Sequence, residues 1–270
     1  MIGSPHVLGR TLADLVLPRV CAGCGHPGHV LCPPCAALLA RPRPATPRRH
    51  PHGFPPTVAA GEYAGPVRPA VNAFKEHART ELAGPLGAAL ALAVGAVQVA
   101  SGRRDAVVLV PLPSSRSALR VRGRDPVAEL AAAAVRELRR AGVPATVVAA
   151  LGRRGRVQDS AGLGSEQRRA NLAGTVVLRE PSRRLPGLVV LVDDVVSSGA
   201  TLTEAATALA PALAPAAAGG DTPVVAAVVA ATPRGRARPP VPGGAGVFTV
   251  RDVPAAGFPG PGLSDRAVRH

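Results

Sequence analysis

Residues 188–201 read L-V-V-L-V-D-D-V-V-S-S-G-A-T and gather the residue types that do chemistry. Five apolar β-formers open the stretch, too few for a membrane span and right for a buried strand. Asp193 and Asp194 follow at its carboxyl end, then Val195, Val196, Ser197, Ser198, Gly199, Ala200 and Thr201. From Thr201 the pattern reads as a helix over 201–210. A parallel strand, a tight loop and a helix N-terminus put ligands at the carboxyl edge of a sheet. Free N–H groups of the first helical turn, with the helix dipole, favour a phosphate there. Gly199 lets the backbone come close to it, and the hydroxyls add donors. Two ionised carboxylates are pure acceptors and suit vicinal hydroxyls on the same ligand. A Mg²⁺ ion nearby would offset their crowded charge. Phosphate, diol and metal together point to a phosphorylated ribose. No G-x-x-x-x-G-K-[ST] occurs, and no G-x-G-x-x-G follows a strand, so other phosphate loops fit badly.

A second cluster lies near the start. Cys21, Cys24, Cys32 and Cys35 are all the cysteines of the chain and form two C-x-x-C pairs. That spacing predicts a tetrahedral structural Zn²⁺ site, with Gly23 and Gly25 permitting the turn around the metal. A redox dithiol would need only one pair, and disulfides are disfavoured in a cytoplasmic protein. His26 and His29, between the pairs, read as solvated loop residues.

The elements that position these groups follow from periodicity. Residues 7–17 read as a short amphipathic helix and 41–56, rich in Pro, Arg and His, as a linker. Residues 82–100 are uncharged, but Leu82, Leu86, Leu90, Val94 and Val97 share one face, as in a helix packed on a sheet. Strands are expected at 105–110, 146–151, 175–178 and 224–230. Asp125 and Pro126 start a helix as cap and first residue, and Gly142 closes it. Strands alternating with helices indicate an α/β fold with a parallel sheet. Residues 232–270 are dominated by Pro, Gly and Arg and read as a partly disordered tail.

Bulk properties restrict the function. The net charge of +15 favours phosphorylated or nucleic-acid partners, whereas 2% aromatics argues against base-stacking platforms. Arg10 and Asp14 interrupt any apolar leader, so a cytoplasmic location without membrane insertion is expected.

Residues 190–201 resemble the phosphoribosyl-pyrophosphate (PRPP) motif of type I phosphoribosyltransferases. The order of the four cysteines, an aromatic-led segment from Tyr63 to Lys75, the loop from Pro111 to Arg122, and an Arg/Asn segment before the acids widen the likeness. Together they resemble the ComF (ComFC-type) competence family over residues 8–231. The resemblance implies a zinc knuckle in residues 1–40 and a phosphoribosyltransferase-like domain at 57–231. It makes Asp193 and Asp194 the ribose-binding acids and Val195–Thr201 the 5′-phosphate loop. Pro111, Leu112, Arg116, Arg120 and Arg122 would serve pyrophosphate, and Arg153, Arg156, Arg168 and Asn171 a mobile lid. PRPP with Mg²⁺, single-stranded DNA and a competence helicase are the implied partners, and an oligomer is compatible with it. The chain departs from the family at Arg124–Pro126, after a matching Arg122-Gly123, and at Ser160, and it has Ser197 and Ser198 where Thr-Thr is usual.

Overall fold

The computed structural model describes residues 19–47, 50–154, 174–180, 185–213 and 224–233. The expected helix at 7–17, most of the lid segment and most of the tail lie outside these residues. A six-stranded sheet organises the rest. Its strands are β1 (Arg43–Pro44), β2 (Thr57–Glu62), β3 (Val107–Pro111), β4 (Ala145–Val147), β7 (Leu188–Val196) and β8 (Val225–Ala231). They lie in the order β1-β2-β8-β7-β3-β4, and every pair is parallel except β1–β2. The central strands are buried apolar runs, because a parallel sheet is covered on both faces.

One face carries α2 (Val67–Glu76), α3 (Ala83–Ala100) and α5 (Pro126–Arg140). The other carries α6 (Ala200–Leu213) and a separate hairpin of β5 (Leu151–Arg153) and β6 (Val176–Leu178). The expected stripe on α3 is realised: Leu82, Leu86, Leu90, Val94 and Val97 are all buried. Gly87 brings α3 against α5, where a Cβ would stand 2.3 Å from that of Ala133. With the preceding turn, residues 80–100 are long and apolar enough to cross a membrane, yet half of this stretch is buried inside the fold. Asp125 caps α5 by accepting the Ala128 N–H, and Gly142 follows the helix at φ +79°.

Three expectations need correction. The strand expected at 146–151 is split: Thr146 and Val147 are exposed at the sheet edge, and the chain turns before β5 to bury Ala150 and Leu151. Arg116–Arg122, read as a loop, forms a short helix, α4, capped by Ser115. The supposed linker at 41–56 is built into the domain. β1 pairs with the free edge of β2, and the Ala45 N–H donates to the Thr57 carbonyl at 2.8 Å. Prolines are tolerated on such an edge, and edge pairing leaves no periodic apolar pattern to read.

The cysteine segment is likewise docked rather than free. Leu39, just past α1 (Pro33–Ala37), is 2% exposed in the main core, and Ala22, Val30 and Leu31 pack against that core. Gly23 and Gly61 allow the approach. A Cβ on Gly23 would lie 2.9 Å from the Pro66 carbonyl oxygen, and one on Gly61 would lie 2.5 Å from that of Leu38.

Candidate functional site

The chain leaves β3 toward β4 on one side of the sheet and leaves β7 toward β8 on the other. The crevice between the carboxyl ends of β3 and β7 is therefore the topological switch point, where open parallel sheets bind ligands. Pairing of β7 with β3 ends at Val192, whereas its pairing with β8 runs on to Val196. Asp193 and Asp194 thus lie inside β7, paired on one flank and past the end of β3 on the other. The strand is longer than expected because β8 continues beside it.

Strand alternation gives the two acids different surroundings. Asp194 is 2% exposed on the face of α2, and Lys75 Nζ lies 2.8 Å from its Oδ2 and 3.1 Å from its Oδ1. Its Oδ1 also accepts the Val195 N–H at 2.7 Å. Asp193 is only half-buried and accepts the Asp194 N–H at 2.8 Å. Burial and the adjoining Asp194 carboxylate push the Asp193 carboxyl up to about 8, against the opposing pull of Lys75. Burial pulls the Lys75 ammonium down, but Asp194, Asp193 and Glu76 together hold it above its usual range.

The structure brings the loop after β3 to the β5–β6 hairpin. Arg153 Nε donates to the Pro113 carbonyl at 3.0 Å, and its guanidinium lies in the field of Asp193. Burial lowers the Arg153 pKa despite that carboxylate. Pro113, Ser114, Asp125, Arg153, Arg154 and Arg179 line a cleft of about 580 Å³ with Leu119 and Leu178. Three arginines among these residues, beside the single carboxylate of Asp125, make the cleft suited to a polyanion.

Other expected pyrophosphate residues are placed differently. Pro111 and Leu112 are buried, and the Leu112 N–H is spent on the Val192 carbonyl. Arg122 grips Glu76 through Nε at 3.0 Å and Nη2 at 2.8 Å. Arg120 is exposed on α4. Arg156, Arg168 and Asn171 lie outside the described residues, as does the side chain of Arg116.

At the other end of the site, Ser197 is exposed and Val196 and Ala200 are buried. The Ala200 N–H is satisfied by Ser198 Oγ at 3.4 Å. Gly199, at φ +77°, has a reason the sequence did not show. A Cβ there would stand 2.5 Å from the Phe54 ring and 3.4 Å from Pro47. The segment read as a linker therefore packs on the loop, and a cavity of about 190 Å³ remains beside Ser197, Thr46 and Thr232. Pro47 and Phe54 were missed because they belong to no periodic element.

The four cysteines converge as their spacing predicts. Their Sγ atoms lie within 4.8 Å of one another, against about 3.8 Å expected between sulfurs bound to one Zn²⁺. Backbone turns build the knuckle: the Cys21 N–H donates to His26 O at 2.8 Å and the Ala22 N–H to Val30 O at 2.9 Å. Gly25 takes φ +78°, whereas Gly23 serves close packing. Burial raises the Cys21 thiol pKa, but N–H groups of Cys32, Cys24 and Gly23 lower it to about 6. Burial and the neighbouring thiols push Cys35 up, and Cys32 is raised on balance despite the Cys35 N–H. His26 and His29 are exposed and outside the cluster. The cluster can hold a metal ion and is compatible with structural zinc. Among the described residues it is the one group of three or more metal-binding side chains that converges. At Asp193 and Asp194 no third metal-binding side chain converges among the described residues, so Mg²⁺ has no comparable protein site there.

Comparison with protein-family models and with curated proteins gives no match to this chain.

Proposed function

We propose that this protein binds PRPP with Mg²⁺ and transfers its phosphoribosyl group, as a ComF-like member of the type I phosphoribosyltransferases with a structural zinc knuckle. One observation carries the reading: the acidic pair stands at the switch point, just before a hydroxyl-rich helix start, with Asp193 in the field of Arg153 from the arginine-lined cleft. Hydroxyls of Ser197, Ser198 and Thr201, with main-chain N–H groups of the turn after β7, hold the 5′-phosphate. Asp193, losing its proton as the ligand and Mg²⁺ bind, accepts hydrogen bonds from the ribose hydroxyls, and Arg153 with the loop after β3 holds the pyrophosphate. Breaking the bond from ribose C1 to the pyrophosphate oxygen leaves cationic charge on the sugar and anionic charge on the leaving group. Arginines placed beforehand stabilise that anion, and the carboxylate fixes the sugar's orientation. Bound Mg²⁺ would add neutralisation of the pyrophosphate charge.

The net charge of +15 favours a second reading, a DNA-binding module of the uptake machinery in which the PRPP site is a sensor or scaffold. Pyrophosphate release from PRPP, screened over candidate bases and other acceptors, tests the transferase. The expected result is release that depends on one acceptor class and disappears in Asp193→Asn. DNA retention at rising salt is measured beside it, since charge-driven binding falls steeply with salt. No release with any acceptor, together with salt-sensitive DNA retention, would favour the module.

A further inference from the structure

Two neighbouring carboxylates need a counter-charge, and the sequence alone assigns that task to a divalent cation. The structure offers a different group. Lys75, the only lysine in the chain, stands 2.8 Å and 3.1 Å from the two oxygens of Asp194, 119 residues away. It is no wandering surface charge. Phe74 before it is fully buried, with the Arg124 guanidinium 4.3 Å over its ring. Glu76 after it is held by Arg122. The last turn of α2 is thus fixed on both sides of Lys75. The side chain of Lys75 is 35% exposed and that of Asp194 only 2%, so the amine covers the carboxylate from solvent.

We propose that Lys75 is the resident counter-ion of the acidic pair: a positioning residue that holds Asp194 as an oriented carboxylate, occupies the place a divalent cation would take there, and leaves Asp193 to meet the ligand. The proposal rests on the site described under Proposed function, but its consequence for Mg²⁺ alone does not require PRPP. Removing one member of a buried ion pair leaves the other charge uncompensated, and Mg²⁺ becomes the available replacement. Coulomb attraction at this range is strong enough for that exchange to be measured.

The test uses the full chain as wild type, Lys75→Gln, Lys75→Arg, and Lys75→Gln combined with Asp194→Asn. Thermal midpoints are recorded against Mg²⁺ concentration without ligand, and PRPP affinity is then measured at low and high Mg²⁺. Mg²⁺ alone should raise the midpoint of Lys75→Gln by several degrees and leave the other three unchanged. Lys75→Gln should bind PRPP about tenfold more weakly at low Mg²⁺, with most of the loss recovered at high Mg²⁺. Lys75→Arg, which keeps the charge, should follow the wild type. A purely structural lysine would lower stability without changing the response to Mg²⁺, so equal Mg²⁺ responses in all four proteins would overturn the proposal. If the wild type fails to bind PRPP, the reading of the site falls, while the Mg²⁺-only series still decides the role of Lys75. Should Lys75→Gln not fold, acetylation of folded wild-type protein, confirmed at Lys75 by mass spectrometry, removes the same positive charge. Acetylated protein that gains no Mg²⁺ response would likewise overturn the proposal.

Discussion

Asp193 and Asp194 share a peptide bond and little else. Alternation along β7 buries Asp194 against Lys75, while Asp193 looks toward the arginine side and keeps a partly open oxygen. Identical residue types therefore meet different surroundings, one paired to a lysine and the other in the field of an arginine. The raised pKa of Asp193 has a consequence for stability with a definite sign. The unfolded carboxyl ionises near 3.8 and the folded one near 8, so the folded state holds the extra proton between those values. Stability from this group is complete below the lower value and is lost as pH rises toward about 8. Asp193→Asn should flatten that slope and stabilise the ligand-free protein at neutral pH. Denaturant unfolding of both proteins between about pH 5 and pH 8 measures the difference. Equal slopes in the two proteins would refute the assignment.

At the scale of elements, the cysteine knuckle and the edge segment before β2 are parts of the α/β unit. Contacts of Gly23 with Pro66 and of Gly61 with Leu38 join the knuckle to the segments flanking α2, and Leu39 enters the shared core. Metal loss should then be felt well beyond the knuckle. We expect about one zinc per chain. Cys24→Ser, changing the exposed ligand, should release it and lower the main unfolding transition by roughly 4–8 °C, equivalent to about 2 kcal/mol. Elemental analysis with scanning calorimetry checks both. Metal loss that leaves the main transition unmoved would contradict the docking. Much of this scale was legible beforehand: cysteine spacing, the α3 stripe, the Asp125–Pro126 helix start and the buried strands each follow from local chemistry. What could not be read depends on distant partners. Residues 41–56 show no periodicity because edge pairing and proline packing require none, and Gly199 needs its missing side chain for Phe54, 145 positions away in neither helix nor strand register. Arg122 reads as a free cation until Glu76 is brought beside it.

For the whole molecule, strand order matters more than any single motif. The reversal between β3 and β7 makes one crevice, and the acids, the loop after β3 and the start of α6 converge around it. A net charge of +15 attracts polyanions in general, so affinity for phosphates alone does not establish a specific site. The central claim is a PRPP site built on Asp193 and Asp194, and the most direct measurement is ligand-induced thermal stabilisation with Mg²⁺. A ligand that binds only the native state at about a hundred times its dissociation constant adds roughly 2.7 kcal/mol. PRPP with Mg²⁺ should give such a shift, ribose 5-phosphate a smaller one, and the double change Asp193→Asn with Asp194→Asn should abolish it while the protein remains folded. An equal shift from tripolyphosphate, unaffected by the double change, would contradict the account and leave only general attraction between a basic protein and an anion.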